Sequence, residues 1–552
     1  MKTKNNLLAV FALLITSCSD VNNSKNFEVS LHDKPLLEVQ TQPRPLPNPD
    51  KNAYFGDLHV HTENSFDAYT FGTISTPVDA YKYARGHAIQ HPSGYLIQLS
   101  RPLDFYAVTD HGVFMGLMKE AADTTSEFSK YEFTKPLHNL NESGGTGFRD
   151  LIKRGGLFKP FGEKVREGVA DGTIDESLIL EVGRTVWQKT IKAADDAYVP
   201  GTFTTFAAYE YTSSFELYDK YLHRNVIFKN TKNLPTRLFT RADNQDPEAL
   251  WDWMNGLRSN GVESLAIPHN SNISGGASFS LNDYNGGPID EEYAKNRSLN
   301  EPLVEITQVK GTSETHPLLS KNDEWAAFEV KTGVEAEKLL SNLKGSYVRD
   351  AYLRGLTLSE KGLTNPYKFG LIGSSDAHVG GPSDTEEVFH SKVGLLDGTA
   401  ELRGSIPFNR FYGTFLKVLR PNILKEVDGK NYFSASERLV QFAASGLAGV
   451  WAEENTREAL YDAFRRKETF GTSGPRMKVR FFAGYDLENS KLDDLSLIQD
   501  AYARSIPMGG TLNIEANKNP TFLVWAIADP AGAPLQRTQI IKGWLEDGEH
   551  KE

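Results

Sequence analysis

Apolar and β-branched residues come in short runs along this chain, and polar residues able to do chemistry collect at one end of each run. In Phe55-Gly56-Asp57-Leu58-His59-Val60-His61-Thr62 the two kinds alternate. A period of two is that of a strand, so Asp57, His59 and His61 share one face and Leu58 and Val60 the other. Six further runs follow. Leu103–Thr109 leads into Asp110-His111-Gly112, and Thr202–Tyr209 into Glu210. His223–Phe228 opens on its histidine. Glu263–Ile267 leads to Pro268-His269-Asn270, Leu303-Val304 to Glu305-Ile306, and Phe369–Ile372 to Ser374-Ser375-Asp376-Ala377-His378. Near-continuous apolar strands separated by helical stretches predict a parallel sheet covered by helices. Polar residues gathered just past the strand ends predict a β/α barrel whose site opens at that face.

Two intervals exceed what a barrel connection needs, 115–200 and about 316–366. Both carry helical patterns (Leu178–Ala194, Glu324–Leu343, Ser346–Leu356) and are expected as helical insertions that wall or lid the site. Beyond His378, Ser436–Ala444 and Thr456–Arg466 read as helices, the second with Thr456 as N-cap. From Met477 onward the pattern turns to strands at Met477–Phe482, Thr511–Glu515, Thr521–Ala528 and Thr538–Leu545. Residues 476–552 are therefore expected to form a small β-rich module, which need not be complete.

The start of the chain has a different pattern. Lys2 and Lys4 precede an apolar run from Leu7 to Ile15, too short to span a bilayer and typical of a secretory signal. Ile15-Thr16-Ser17-Cys18 closes it and resembles a bacterial lipobox, which implies cleavage before Cys18 and lipidation of that residue. Ser19 in place of Asp favours outer-membrane sorting in that pattern. The expected location is the bacterial outer membrane, facing the periplasm or the surface, with the lipid anchor as the only membrane contact. Residues 19–53, polar and then Pro-rich, read as a tether. The folded body is expected over 54–475.

Composition narrows the chemistry. Cys18 is the only cysteine among 552 residues, which excludes an intrachain disulfide and any thiolate metal site. A net charge of −12 argues against a nucleic-acid surface. What remains at the strand ends is imidazole and carboxylate: His59, His61, Asp67, His111, Glu210, His223, His269, Asp376 and His378. These are ligands for zinc, manganese or iron. Nine such groups are too many for one ion, so two or three divalent ions are expected, with Glu210 as the bridging carboxylate. Clustered cations bring the pKa of a bound water toward about 7 and stabilise oxyanions as bonds break. Asp57 and Asp110 are expected to orient ligating histidines. Arg224, Asn270 and Lys310 are candidates for holding substrate, Glu305 either for holding substrate or for supporting a ligand from behind, and His316, in Gly311-Thr-Ser-Glu-Thr-His316, for proton transfer.

Together, Asp57-Leu-His59-Val-His61-Thr with Asp67, Thr109-Asp110-His111, strand-end Glu210, His223, Pro268-His269 and Gly373-Ser-Ser-Asp376-Ala-His378 resemble the four-part signature of the polymerase and histidinol phosphatase (PHP) superfamily. More narrowly, Tyr54–His61 and Gly373–His378, with the long insertions, resemble the PHP-like family of unknown function numbered 3604. The resemblance implies a distorted (β/α)7 barrel and a two- or three-metal hydrolase acting on phosphate esters of a small molecule. It implies one metal on His59, His61, Glu210 and Asp376, a second on Glu210, His223 and His269, and a third on Asp67, His111 and His378. Glu210, Asp376 and His316 would carry the reaction. Asp67 stands where some members of the superfamily have His. Two rivals remain open: an amidohydrolase-type enzyme cleaving C–N or lactone bonds, and a surface lipoprotein whose metals only stabilise a ligand-binding fold.

Overall fold

Nine strands build the body of the protein: β1 (Asn52–Asp57), β2 (Phe105–Val108), β3 (Thr204–Tyr211), β4 (Arg224–Phe228), β5 (Ser264–Pro268), β6 (Leu303–Gln308), β7 (Gly370–Gly373), β8 (Leu447–Ala452) and β9 (Thr469–Thr472). The computed structural model describes residues 46–142, 148–213, 221–331, 342–419, 424–433, 442–485, 487 and 496–552. The signal segment, Cys18, most of the tether and most of the expected helix at 436–444 lie outside the described residues.

Seven strands form one curled sheet in the order β9-β8-β1-β2-β3-β4-β5, while β6 and β7 pair with each other beside it. Only β1–β2–β3 and β6–β7 run parallel. β4 is antiparallel to both β3 and β5, a correction to the all-parallel expectation. Its connection from β3 carries no covering helix among the described residues, and antiparallel neighbours need none. The reversal matters because it brings the start of β4 to the edge where β3 and β5 end. His223 therefore joins Glu210 and His269 although it opens its strand rather than closing it.

β8 and β9 were not foreseen. Both are short, apolar and interrupted by glycine, and both extend the sheet antiparallel beyond β1. Glycine is required where they meet β7. A Cβ on Gly373 would stand 2.7 Å from the Thr472 carbonyl oxygen and 2.8 Å from that of Leu447, so the backbones approach only without side chains. The ends of β1 and β7 are also tied, by a parallel bridge between Val60 and Ala377.

Tyr54, Leu58, Phe105, Phe206, Ile227, Leu265, Leu303, Ile372 and Val450 meet in one buried cluster drawn from eight of the strands. Leu460 and Phe464 of the helix Arg457–Arg466 complete it, each such side chain contributing about 1.5–3 kcal/mol. Thr456 caps that helix as expected, its hydroxyl accepting from Ala459 N–H. Helix Glu176–Ala197 covers the sheet, and Val348–Glu360 lies in the connection between β6 and β7. Within 115–200, Leu117, Phe128, Leu137, Phe161 and Val165 form a separate apolar cluster. No helix among the described residues is long and apolar enough to cross a membrane.

In the tail, Lys478–Gly484 pairs antiparallel with Thr521–Ile527 and with the short Ile506–Pro507. The strand expected at Thr511–Glu515 is irregular, and Trp544–Glu546 forms a hairpin with Glu549–Lys551. Arg101 and Asp529, bonded at 2.8 and 2.6 Å, pin the tail to the body.

Candidate metal centre

The nine residues expected to gather do so, at the edge where β1, β2, β3, β5 and β7 end and β4 begins. Beyond β1 the alternation sends Leu58 and Val60 into the core and His59 and His61 to the opposite side, all fully buried or nearly so. Asp57 Oδ1 accepts from the N–H groups of both His59 and Ser375, tying the β1 end to the loop that carries Asp376. Asp376 and Asn270 adopt left-handed φ of 58° at their strand ends, conformations that non-glycine residues keep where the surroundings impose them.

Glu210 divides its oxygens between two groups of rings. Oε1 lies 2.6 Å from His223 Nδ1 and 3.3 Å from His269 Nε2. Oε2 lies 3.2 Å from His61 Nε2, 3.5 Å from His59 Nε2 and 3.3 Å from His111 Nδ1. Asp376 Oδ1 stands 3.4 Å from the Nε2 atoms of both His59 and His61. Asp67 Oδ2 stands 3.2 Å from His111 Nε2 and 2.9 Å from His378 Nε2. Donor atoms of His59, His61 and Asp376 lie within 4.8 Å of one another, and so do those of Glu210, His223 and His269 and those of His61, His111 and His378.

Outer contacts fix which nitrogen faces inward. Ser65 hydroxyl donates to Asp110 Oδ1 at 2.7 Å, so it must accept from His61 Nδ1–H at 2.8 Å. His61 is thereby left with a bare Nε2 toward Glu210 and Asp376. Asp110 also accepts from the Thr62 amide and hydroxyl at 2.6 Å each, and is thus spent on orientation. Glu305 does the same for His59: its Oε2 lies 2.8 Å from His59 Nδ1, and Gln308 and Ser374 occupy its remaining capacity. His378 Nδ1–H donates to the Asp376 carbonyl at 2.8 Å. Such partners set ring orientation and ligand basicity.

Ligand fit can be tested on the atoms left over. His59 Nε2, His61 Nε2 and His269 Nδ1 are buried without a hydrogen-bond partner among the described residues. Buried polar atoms are rarely left so, and nitrogen and oxygen donors in this number suit borderline divalent cations. Electrostatics agree. Burial alone would raise the carboxyls, yet neighbouring imidazoles hold Glu210 and Asp67 well below the usual range, and Lys392 with His59 does so for Asp376. Burial alone would lower His61, but Asp376 and Glu210 raise it to about 9. His269, buried beside His59, falls to about 4.

Two expected residues are engaged differently, and a third takes one of the two roles open to it. Arg224 is buried and bonded to Glu301 at 2.6 Å, so it is not placed to hold substrate: β4 alternates, and Arg224 faces away from His223. His316 stands half-buried beside the Tyr347 ring, accepts from Leu318 N–H, and makes no hydrogen bond or ring contact with the cluster. Proton transfer by His316 is thus not supported by its position. Glu305 orients His59 rather than facing substrate.

Two residues were missed. Lys392 Nζ is 2.8 Å from Asp376 Oδ2, and it comes from a loop without any motif. Tyr221 stacks on His223 at 3.8 Å between ring centroids. Its phenol is kept protonated by burial and by the charges of Glu210, Asp376 and Asp67, and it bonds the Asn270 side chain. An aromatic two residues before a strand-opening histidine was the one available signal.

Among solved structures, the chain resembles a two-domain protein from Bacteroides vulgatus described as containing a predicted PHP-like metal-dependent phosphoesterase. The identity is 10%, the TM-score 0.31, and the match covers 91% of this chain and 93% of that one. No curated protein matches. The family described as "Protein of unknown function (DUF3604)" matches over residues 48–552, and the chain belongs to that family.

Proposed function

We propose that this protein is a metal-dependent hydrolase of phosphate esters, built on a distorted (β/α)7 barrel of the PHP type. The observation that carries the reading is the division of Glu210, one oxygen toward His223 and His269 and the other toward His59 and His61. A carboxylate so placed fits a bridge between two cations. The Val60–Ala377 bridge between the ends of β1 and β7 supports barrel closure. The sequence motifs support the PHP assignment.

His59, His61, Glu210 and Asp376 would hold one ion, Glu210, His223 and His269 a second, and Asp67, His111 and His378 a third. When bound, zinc, manganese or iron would lower the pKa of a coordinated water and offset charge building on phosphoryl oxygens. The chain's own residues do the rest. Ser65–Asp110 and Glu305 keep His61 and His59 in the tautomers that point Nε2 inward. Lys392 balances Asp376 from outside the cluster, so the carboxylate stays ionised. The Tyr221 hydroxyl, protonated at all working pH values, gives a hydrogen bond to an oxyanion rather than a proton.

The amidohydrolase-type alternative commonly bridges its metals with a modified lysine, and here the corresponding strand end carries Glu210. A purely structural metal site would be closed by protein ligands. The test is elemental analysis of the purified chain alongside phosphomonoester, phosphodiester, phosphonate, amide and lactone substrates, before and after chelation. Phosphate-ester cleavage that is lost with the metal and returns with Mn or Zn is the expected result. Metal-loaded protein inert on every phosphate ester would overturn it. We further propose, on the lipobox alone, attachment to the outer membrane through Cys18, which mass spectrometry of the mature amino terminus would test.

A further inference from the structure

Lys310 follows β6 by two residues, and only 5% of it remains accessible. Its ammonium donates to Asn272 Oδ1 at 2.6 Å and Ser313 Oγ at 3.2 Å, both neutral. An ammonium has three hydrogens, and the third has no acceptor among the described residues. No carboxylate among them lies within ion-pair distance. The other buried cations are treated differently: Arg224 and Arg297 share Glu301, Lys392 has Asp376, and Arg154, Arg457 and Arg476 have Asp150, Asp195 and Asp384.

An unpaired buried cation is costly, so the position calls for an anion that arrives from outside. Its place says which one. Asn272 comes three residues after His269, and Gln308, two before Lys310, bonds both Asn270 and Glu305. Lys310 thus stands beside the metal cluster without touching any of its ligands. Burial brings its pKa down to about 7, with Glu305 and Asp376 opposing and Lys331 and Lys392 adding to the fall, so an arriving anion would draw the amine fully into its charged form. Glu305 and Asp376 are already engaged with His59 and Lys392, which leaves neither as its partner.

We propose that Lys310 recognises the terminal oxygen of a phosphomonoester dianion, so that the substrates of this site are monoesters rather than diesters. The proposal rests on the phosphoesterase reading above. A diester carries one charge spread over two non-bridging oxygens and a monoester two charges over three, so only the monoester brings an anionic oxygen to a donor beyond the ions that the cluster would hold. Lys310 offers that donor from the β5–β6 side of the cluster.

The test compares metal-loaded wild type, Lys310→Gln and Lys310→Arg. Kinetics on p-nitrophenyl phosphate and bis(p-nitrophenyl) phosphate are read together with inorganic phosphate binding by calorimetry, metal content and Tm. Loss of one charge-assisted hydrogen bond predicts a fall of about 10–100-fold in kcat/KM for the monoester in Lys310→Gln, carried mainly by KM. Phosphate Kd should rise by the same factor, with the diester rate, metal content and Tm held. Lys310→Arg should recover part of the loss. Equal losses on both esters, unchanged phosphate affinity, or a Tm drop that accounts for the activity loss would overturn the role of Lys310 while leaving the phosphoesterase reading in place. Wild type that carries metal yet neither binds phosphate nor cleaves either ester would overturn both.

Discussion

His223 and Arg224 are neighbours in sequence, and they enter two buried polar clusters of opposite construction. Around Arg224 no buried side-chain nitrogen or oxygen of Arg224, Arg297, Glu301 or Trp251 is left without a partner among the described residues. Glu301 accepts from Arg224 Nε at 2.6 Å, Trp251 Nε1 at 2.9 Å and Arg297 Nε at 3.0 Å, and Arg297 also donates to the Ser278 carbonyl and the Tyr293 hydroxyl. Around His223 the matching stops short: carboxylates face imidazoles, but His59 Nε2, His61 Nε2 and His269 Nδ1 have no hydrogen-bond partner among the described residues. Burial does not separate the two, since Glu210 and the histidines around it are as buried as Arg224 and Glu301. Saturation does. A cluster that completes itself holds the fold together, and one left with unpartnered buried nitrogens is built for something that binds.

Glu210→Gln tests the incomplete cluster at its centre. It keeps the volume and removes the charge that two groups of histidines share. Activity should fall on the order of a thousandfold, and elemental analysis should show less metal. Thermal stability of the metal-free chain should fall by a few degrees near neutral pH, because the imidazoles lose one of the carboxylates that hold them charged. Glu301→Gln makes the converse change. Two buried guanidinium groups lose their shared anion, and the free energy of unfolding should drop by about 3–5 kcal/mol, measured by urea titration. Metal content per folded molecule should stay the same. If the two variants exchanged phenotypes, saturation would not distinguish the clusters. A smaller effect is expected one step out from the metal ligands. Ser65→Ala releases the His61 tautomer and should weaken metal binding about tenfold, as seen in competition with a chelator, with activity recovered at excess metal.

The residues that gather at the site could be read from sequence for a specific reason. Each except Asp67, which lies in the short helix Phe66–Thr70, follows or opens an apolar run, and a strand end is a local pattern that survives ignorance of the fold. Asp110 and Asp57 were legible in the same way, as carboxylates beside ligands. Lys392 was not, because nothing local marks a lysine whose partner, Asp376, lies sixteen positions earlier across a turn. Glu305 was legible as a site residue with two roles open, since the choice between orienting His59 and facing substrate depends on which side of β6 points inward. Arg224 was misread for the same reason in reverse: alternation along β4 separates it from His223, and its partner Glu301 lies beyond another strand. The curled sheet was foreseen in its parallel part. β8 and β9 escaped because strands carrying Gly449 and Gly471 do not show β propensity; a Cβ at Gly471 would meet the β7 backbone and one at Gly449 the Phe470 ring, contacts that only the fold reveals.

Opposed pH dependences sharpen the comparison further, with effects of only a few degrees in Tm. Burial raises Glu301, but Arg224 and Arg297 outweigh it and hold the carboxyl below its usual range. A depressed folded pKa gives stability that is fully present above the unfolded value, about 4.3, and lost as pH falls through the folded one. His61 behaves oppositely in the metal-free chain. Burial lowers it, yet Asp376 and Glu210 raise it to about 9. That contribution is fully present below the unfolded value, about 6.5, and fades as pH rises through 9. The chelated protein should therefore lose a few degrees of Tm between about pH 6.5 and 9. Added Mn or Zn should abolish that decline, because ligand nitrogens bind metal in the deprotonated state. Glu301→Gln should leave this alkaline slope untouched and flatten only the acid one. A metal-free chain whose Tm is constant across the alkaline window would show that the imidazoles are not held charged by Glu210 and Asp376. The incomplete cluster would then have lost the electrostatic half of its argument.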